Sequence, residues 1–285
     1  MEGRGVDEGM TVIDVDAIAN TAFTGVNRAW MFLGLGVNAA SRAERSDFEI
    51  ADASHLRLLP EELPPPTLED AKTEFAIWVA SNGLREVIDT FDVFLGKVQA
   101  AALSVQAWKA GVASDAGSAP YNKRAAAFSR LGTEKRLDTL RKDFAITAEY
   151  GPGIVSIRRA RNCLTHRLGV VGPEDVGTED HLTLGWHAFE LYGWHPDGSE
   201  FVASPDSLPV AFPKGSPVNL RHGLREHRYG LGERIILSPA ELKEICFTFR
   251  FTIDQVRQSL VEFMEGAGVQ QVDTGGAPAS DGAST

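Results

Sequence analysis

The chain has 285 residues, of which 43% are hydrophobic and 24% charged, with a formal net charge of −11. That length is enough for a sizeable core in one large domain or two small ones. The acidic balance argues against a general nucleic-acid coat protein, and two cysteines, Cys163 and Cys246, are too few for a disulfide framework and fit no metal-site spacing.

The first residues lay out no signal peptide, and the apolar run Ala29–Gly36 falls short of the roughly 20 residues a bilayer demands. A cytoplasmic protein with reduced thiols and no membrane contact is the expectation. From Asp14 to Ala40, the positions Ile18, Phe23, Val26, Trp30, Leu33 and Val37 recur at helical spacing and predict an N-terminal helix. The rest of residues 1–66 reads as an irregular arm, closed by Pro64-Pro65-Pro66.

Thr67 with Asp70 three residues on is a helix-start signature. The wide stripe from Phe75 through Phe91 and Phe94 to Leu103 extends that helix to about Ala110, with an interruption expected at Asn82-Gly83. Two shorter helices are predicted over Lys123–Leu131 and Glu134–Ile146, the second capped by Thr133. Tyr150-Gly151-Pro152-Gly153 reads as a turn, followed by a helix over Ile154–Leu168 that ends on Gly169.

Beyond it, His181–Trp186 and Phe189–Tyr192 alternate like strands, Pro196-Asp197-Gly198 is a turn, and Phe201–Ala203 is placed to pair back. Arg221–Arg228 reads as an exposed basic loop or hairpin, and Arg234–Leu237 as a further strand. Ser238, Pro239 and Glu241 open a last helix. The segment 266–285, rich in Gly, Ala, Ser and Asp and without aromatics, is expected to be disordered. The overall expectation is mainly α: a helical bundle with a small β-rich insertion, 171–237, before a final helix, 238–265, that packs on a core formed by 67–170.

Charge is distributed unevenly. Between Tyr121 and Arg167 there are eleven basic residues against four acidic ones, a local balance of +7 in an acidic chain. Such a patch marks a polyanion partner or a solvated helix face neutralised by acids elsewhere in the fold. The segment ends on Arg161-Asn162-Cys163-Leu164-Thr165-His166. On a helix at about 100° per residue, Ile157, Ala160, Leu164 and Leu168 share the core face, while Arg158, Asn162 and His166 form a polar row opposite. Arg161 lies about 140° from His166 on that wheel, so one regular helix does not converge them. A distorted helix end or a second copy is required. Together a guanidinium, an amide and an imidazole suit metal-free cleavage of a ribose phosphodiester: the imidazole moves a proton and the guanidinium holds the phosphate. Cys163, between the two faces, reads as packing.

This arrangement of Arg-Asn, three residues and His near the end of a helix in an all-α core resembles the HEPN superfamily. The resemblance covers about Thr67–Val171 and the last helix. It implies an antiparallel helical bundle that dimerises so that two motifs face each other. It also implies a metal-independent endoribonuclease without cofactor, of the kind found in toxin–antitoxin and phage-defence systems, with an antitoxin or defence-system partner. Arg161, Asn162 and His166 would be catalytic, and Arg158, Arg159 and Arg167 would hold RNA. Some members add a polar residue from an earlier helix, for which Glu86, Asp89 and Asp92 are candidates. Other members are non-catalytic, so an RNA- or nucleotide-binding module, or a protein-interaction module, is the alternative. A helical interaction protein unrelated to nucleic acid is the third possibility.

Overall fold

The structure of the protein, a computed structural model, describes residues 12–48, 67–112, 119–195, 197–203 and 217–270. The helices are α1 (Val15–Arg42), α2 (Arg45–Phe48), α3 (Leu68–Lys109), α4 (Ala119–Ser129), α5 (Thr133–Phe144), α6 (Gly151–His166), α7 (Pro173–Val176) and α8 (Pro239–Gly266). Three strands, β1 (His181–Trp194), β2 (Glu200–Ala203) and β3 (Asn219–Gly230), form an antiparallel sheet in the order β2-β1-β3 between α7 and α8. The molecule is therefore mainly helical with a small sheet before its last helix, as expected from the sequence. The anticipated irregular arm, in its part from 49 to 66, and the tail, in its part from 271 onwards, lie outside the described residues.

Both strong start signals operate as read. The Thr67 hydroxyl accepts from Asp70 N–H at 3.1 Å while Thr67 N–H donates to the Asp70 carboxylate. Ser238 and Glu241 make the same reciprocal pair on α8. Such caps each contribute about 1 kcal/mol by satisfying N–H groups the helix leaves orphaned. The expected break at Asn82-Gly83 is absent. α3 runs unbroken, because Asn82 turns its amide back onto the Trp78 carbonyl at 2.8 Å and Gly83 faces the buried Leu33 side chain.

The core is built by α1, α3 and α8 packing on one another, with α5 and α6 against α3. Phe91 on α3 meets Phe249 on α8 edge-on at 5.5 Å between ring centroids. The N-terminal helix belongs to this core rather than to an appended arm: Ala19, Ala22, Val26, Ala29 and Leu33 are all buried. The small side chains on α1 permit a close approach to α3. At Gly25 an added Cβ would lie 1.9 Å from the Thr90 hydroxyl.

The sheet meets the bundle through one edge of β1. Ser156 on α6 donates to the Gly185 carbonyl at 2.7 Å and accepts from Gly185 N–H at 2.9 Å. Thr248 on α8 does the same for His187, at 3.0 Å in both directions. Two hydroxyls thus take the place of a neighbouring strand along the part of β1 that β2, which pairs only with Leu191–Trp194, does not reach. Side chains reinforce the junction. The buried Trp186 donates its indole N–H to Glu244 at 2.8 Å, Arg225 on β3 lies 3.0 Å from the same carboxylate, and His227 lies 2.9 Å from Glu241.

Several expectations need correction. The two strand segments His181–Trp186 and Phe189–Tyr192 are one strand, because both faces of β1 are covered and alternation therefore fades in its middle. Arg221–Arg228 is neither loop nor hairpin but most of β3, paired with β1 throughout. Arg221, Arg225 and His227 find carboxylates on β1, β2 and α8, which partners part of a pattern that reads as solvated. Arg234–Leu237 is not a strand; only Val170 and Arg234 form an isolated bridge. Thr133 does not cap α5; Gly132 holds that position, without a side-chain cap bond.

Removing either hydroxyl leaves a buried strand edge unpaired, at about 1–3 kcal/mol. Thr248→Val, which keeps the volume, and Ser156→Ala are each expected to lower unfolding free energy by that amount in urea denaturation. Burial also pushes the Cys163 thiol up to about 11 and the Cys246 thiol up to about 12, from an ordinary 9.0. The folded state therefore favours the protonated thiols. Their contribution to stability is complete below about pH 9 and is lost as the pH rises toward 11 and 12. Neither thiol should react with iodoacetamide at pH 8 until the protein is unfolded, a difference read by mass spectrometry.

Candidate functional site

α6 carries the motif, and its placement is set from both ends. Ahead of it, Gln255 on α8 accepts from Glu149 N–H at 3.0 Å and Tyr150 N–H at 3.4 Å, and Ser259 accepts from Thr147 N–H. The helix starts at Gly151, inside the stretch read as a turn, because Pro152 sits in its first turn, where no N–H is missed. Its buried face carries Ile154, Ile157, Ala160, Cys163 and Leu164. Leu168, assigned to that face from the sequence, is 76% exposed. The helix has ended at His166, and Leu168 (φ 53°) and Gly169 (φ 81°) are both left-handed. Gly169 N–H reaches back to the Cys163 carbonyl at 3.2 Å and so closes the helix end.

The motif cations face carboxylates. Arg161, with a side chain 19% exposed, donates from Nη2 to Asp89 on α3 and from Nη1 to the Asn162 side-chain oxygen, at 3.2 Å each. Its Nε is buried without a hydrogen-bond partner among the described residues. One turn back, Arg158 donates to Asp92 at 2.6 Å and also bonds the Thr133 hydroxyl, which itself donates to Asp92 at 2.8 Å. Arg136 joins the cluster by donating to the backbone carbonyls of Asp92, Leu131 and Ser129. Arg167 is gripped by Asp175 and Glu174 at α7. Burial and Asp175 are what raise the neighbouring Cys163 thiol, which is therefore no nucleophile at neutral pH.

Arg161 and Asn162 are brought together, with Asp89 beside them. His166 is not brought to them: it is exposed on the last residue of α6 and forms no hydrogen bond or ion pair among the described residues. Of the three arginines expected to hold RNA, Arg158 and Arg167 already carry carboxylate partners. Only Arg159 is exposed and unpaired among the described residues. Much of the +7 segment is neutralised in this way by acids from α3 and α7. Lys123, Arg130, Lys135 and Arg159 remain exposed without ion pairs among the described residues.

The acidic residues Glu86, Asp89 and Asp92 lie along α3 and contact Arg28, Arg161 and Arg158 respectively. The sequence offered all three without choosing between them. Only packing α6 on α3 shows that Asp89 faces the motif arginine. A groove of about 440 Å³ opens elsewhere, where α3, α5 and α8 end, lined by Val105, Phe144 and Phe263, with no motif residue on its walls. Among the described residues, no group of three or more His, Cys, Asp or Glu side chains is arranged to hold a metal ion, and no helix is long and apolar enough to cross a membrane. Compared with protein-family models, curated proteins and solved structures, the chain matches none.

The two aspartates should behave differently when altered. Asp92→Ala strands Arg158 and Thr133 in a largely buried cluster and is expected to cost about 1–3 kcal/mol of stability. Asp89 is 58% exposed and makes one ion pair, so Asp89→Ala should cost no more than about 1 kcal/mol. Equal losses in parallel urea titrations would contradict this division.

Proposed function

We propose that this chain is a HEPN-like, metal-independent endoribonuclease whose site is completed by a second copy. The observation that carries the reading is the division of the motif. Arg161 is oriented by Asp89 and Asn162 at the α3–α6 seam, while His166 stands at the open end of the same helix with no partner among the described residues. Each protomer then holds half of a catalytic pair. With two α6 helices apposed antiparallel, His166 of one protomer comes beside Arg161 of the other.

In such a cleft the neutral imidazole takes the proton of a ribose 2′-hydroxyl. The resulting oxyanion attacks the adjacent phosphorus, and the bond to the 5′-oxygen breaks. Arg161 stabilises the charge that grows on the phosphate oxygens. The leaving oxygen takes a proton from solvent water, giving a 2′,3′-cyclic phosphate and a 5′-hydroxyl, and the imidazolium gives its proton back to the hydroxide left behind.

A non-catalytic RNA-binding module is the second reading. It is favoured by the carboxylates already on Arg158 and Arg167, and by Lys123, Arg130, Lys135 and Arg159, which carry no ion pair among the described residues and suit loose phosphate contacts. Incubation of purified protein with RNA in EDTA separates the two. The nuclease reading expects cyclic-phosphate ends, and a loss of about 10²-fold or more in His166→Ala and Arg161→Ala. RNA binding that falls with salt, without cleavage by the wild-type chain, would favour the module. Equal cleavage by wild type and His166→Ala would remove the mechanism.

A further inference from the structure

Among the described residues, the far edge of the sheet is open. Along β1, Gly185 and His187 direct their backbone groups to Ser156 and Thr248, away from β3. The alternate residues of β1, Leu184, Trp186 and Ala188, therefore bond β3 through His227, Arg225 and Gly223. It follows that Leu220, His222, Leu224, Glu226 and Arg228 turn their N–H and C=O groups outward. Gly230, next in that series, confirms the direction, because its N–H reaches the Glu233 carboxylate outside the ladder at 2.7 Å. None of the five outward residues has a backbone partner on that side among the described residues.

Natural sheets usually blunt such an edge with short strands, proline, lysine or a bulge. β3 spans Asn219–Gly230, contains neither proline nor lysine, and pairs with β1 without a bulge. Two of its arginines are turned inward to partners: Arg221 to Glu190 and Glu200, and Arg225 to Glu244. Leu220 and Leu224 are 57% and 62% exposed.

We propose that a second copy of this chain adds to this edge, β3 against β3 in antiparallel fashion, to make one continuous sheet across a two-fold axis. The outward row complements itself. With the axis at Leu224, the two Leu224 side chains meet. On either side His222 lies opposite Glu226, and Leu220 lies against the aliphatic stem of Arg228. Every outward N–H then meets an outward C=O of the other copy. This interface is separate from the α6 contact proposed above, and either can exist without the other.

The test is sedimentation equilibrium over about a hundredfold concentration range, where a self-association shifts by mass action. Leu224→Pro removes an N–H that faces outward and leaves the β1–β3 ladder intact, as edge prolines do. The expected outcome is a dimer in wild type and at least a tenfold weaker one in Leu224→Pro, with matching thermal melts at a dilution where both are monomeric. Should that variant fail to fold, Glu226→Lys should weaken the dimer similarly, because it removes the carboxylate that lies opposite His222 across the seam. Leu224→Cys should form an intermolecular disulfide under mild oxidation, whereas Leu220→Cys should not. A monomeric wild type overturns the proposal. So does a dimer that survives both substitutions and gives no Leu224→Cys cross-link, because its contact would lie elsewhere, for instance at α6.

Discussion

A strand edge buried in a helical protein must find donors and acceptors that helices do not ordinarily offer. Here one serine and one threonine solve the problem, each bonding both backbone groups of a single β1 residue. Much else follows from that. The hydroxyls fix which residues of β1 face the helices, and so which residues face β3 and which residues of β3 face solvent. They also tie α6 and α8 to the same stretch of chain. The helix bearing the Arg-Asn…His sequence is thereby held between α3 on one side and the sheet on the other.

The second organising constraint is electrostatic. α3 presents Glu86, Asp89 and Asp92 along its length, and each meets an arginine of another helix. Around Asp92 the contacts are dense and largely buried, and they join α3, α5 and α6 into one unit. Around Asp89 the contact is single and half open. An anion offering more than one oxygen can compete with a lone exposed carboxylate far more readily than with the Asp92 cluster. The same row of acids thus supplies a dense, largely buried clasp at Asp92 and a single, more exposed contact at Asp89.

The long helices were legible because their stripes and caps are local: Thr67 with Asp70 and Ser238 with Glu241 announce α3 and α8 without knowledge of the tertiary fold. The motif's core face was legible for the same reason as far as Leu164. It failed at Leu168, where a left-handed residue throws the side chain outward. β3 was misread because its arginines and histidines look solvated until Glu190, Glu241 and Glu244 are folded against them. The use of Thr133 was equally hidden: as a helix cap it is a local signal, but its hydroxyl is drawn to Asp92, far away in sequence. Which acid faces Arg161 also depends on how α6 lies on α3, and no spacing rule encodes that.

The end of α6 is closed by distant chain. Arg234 donates to the Leu168 carbonyl, Val170 bridges Arg234, and Val171 exchanges backbone bonds with Gly232 and Glu233. A contact of such sequence separation forms late, since the intervening loop must first be ordered. During synthesis the ribosome has to release the whole sheet before the chain that follows α6 acquires these contacts. The close of α6 is therefore among the later events of folding, settled only once chain from the far side of the sheet is in place.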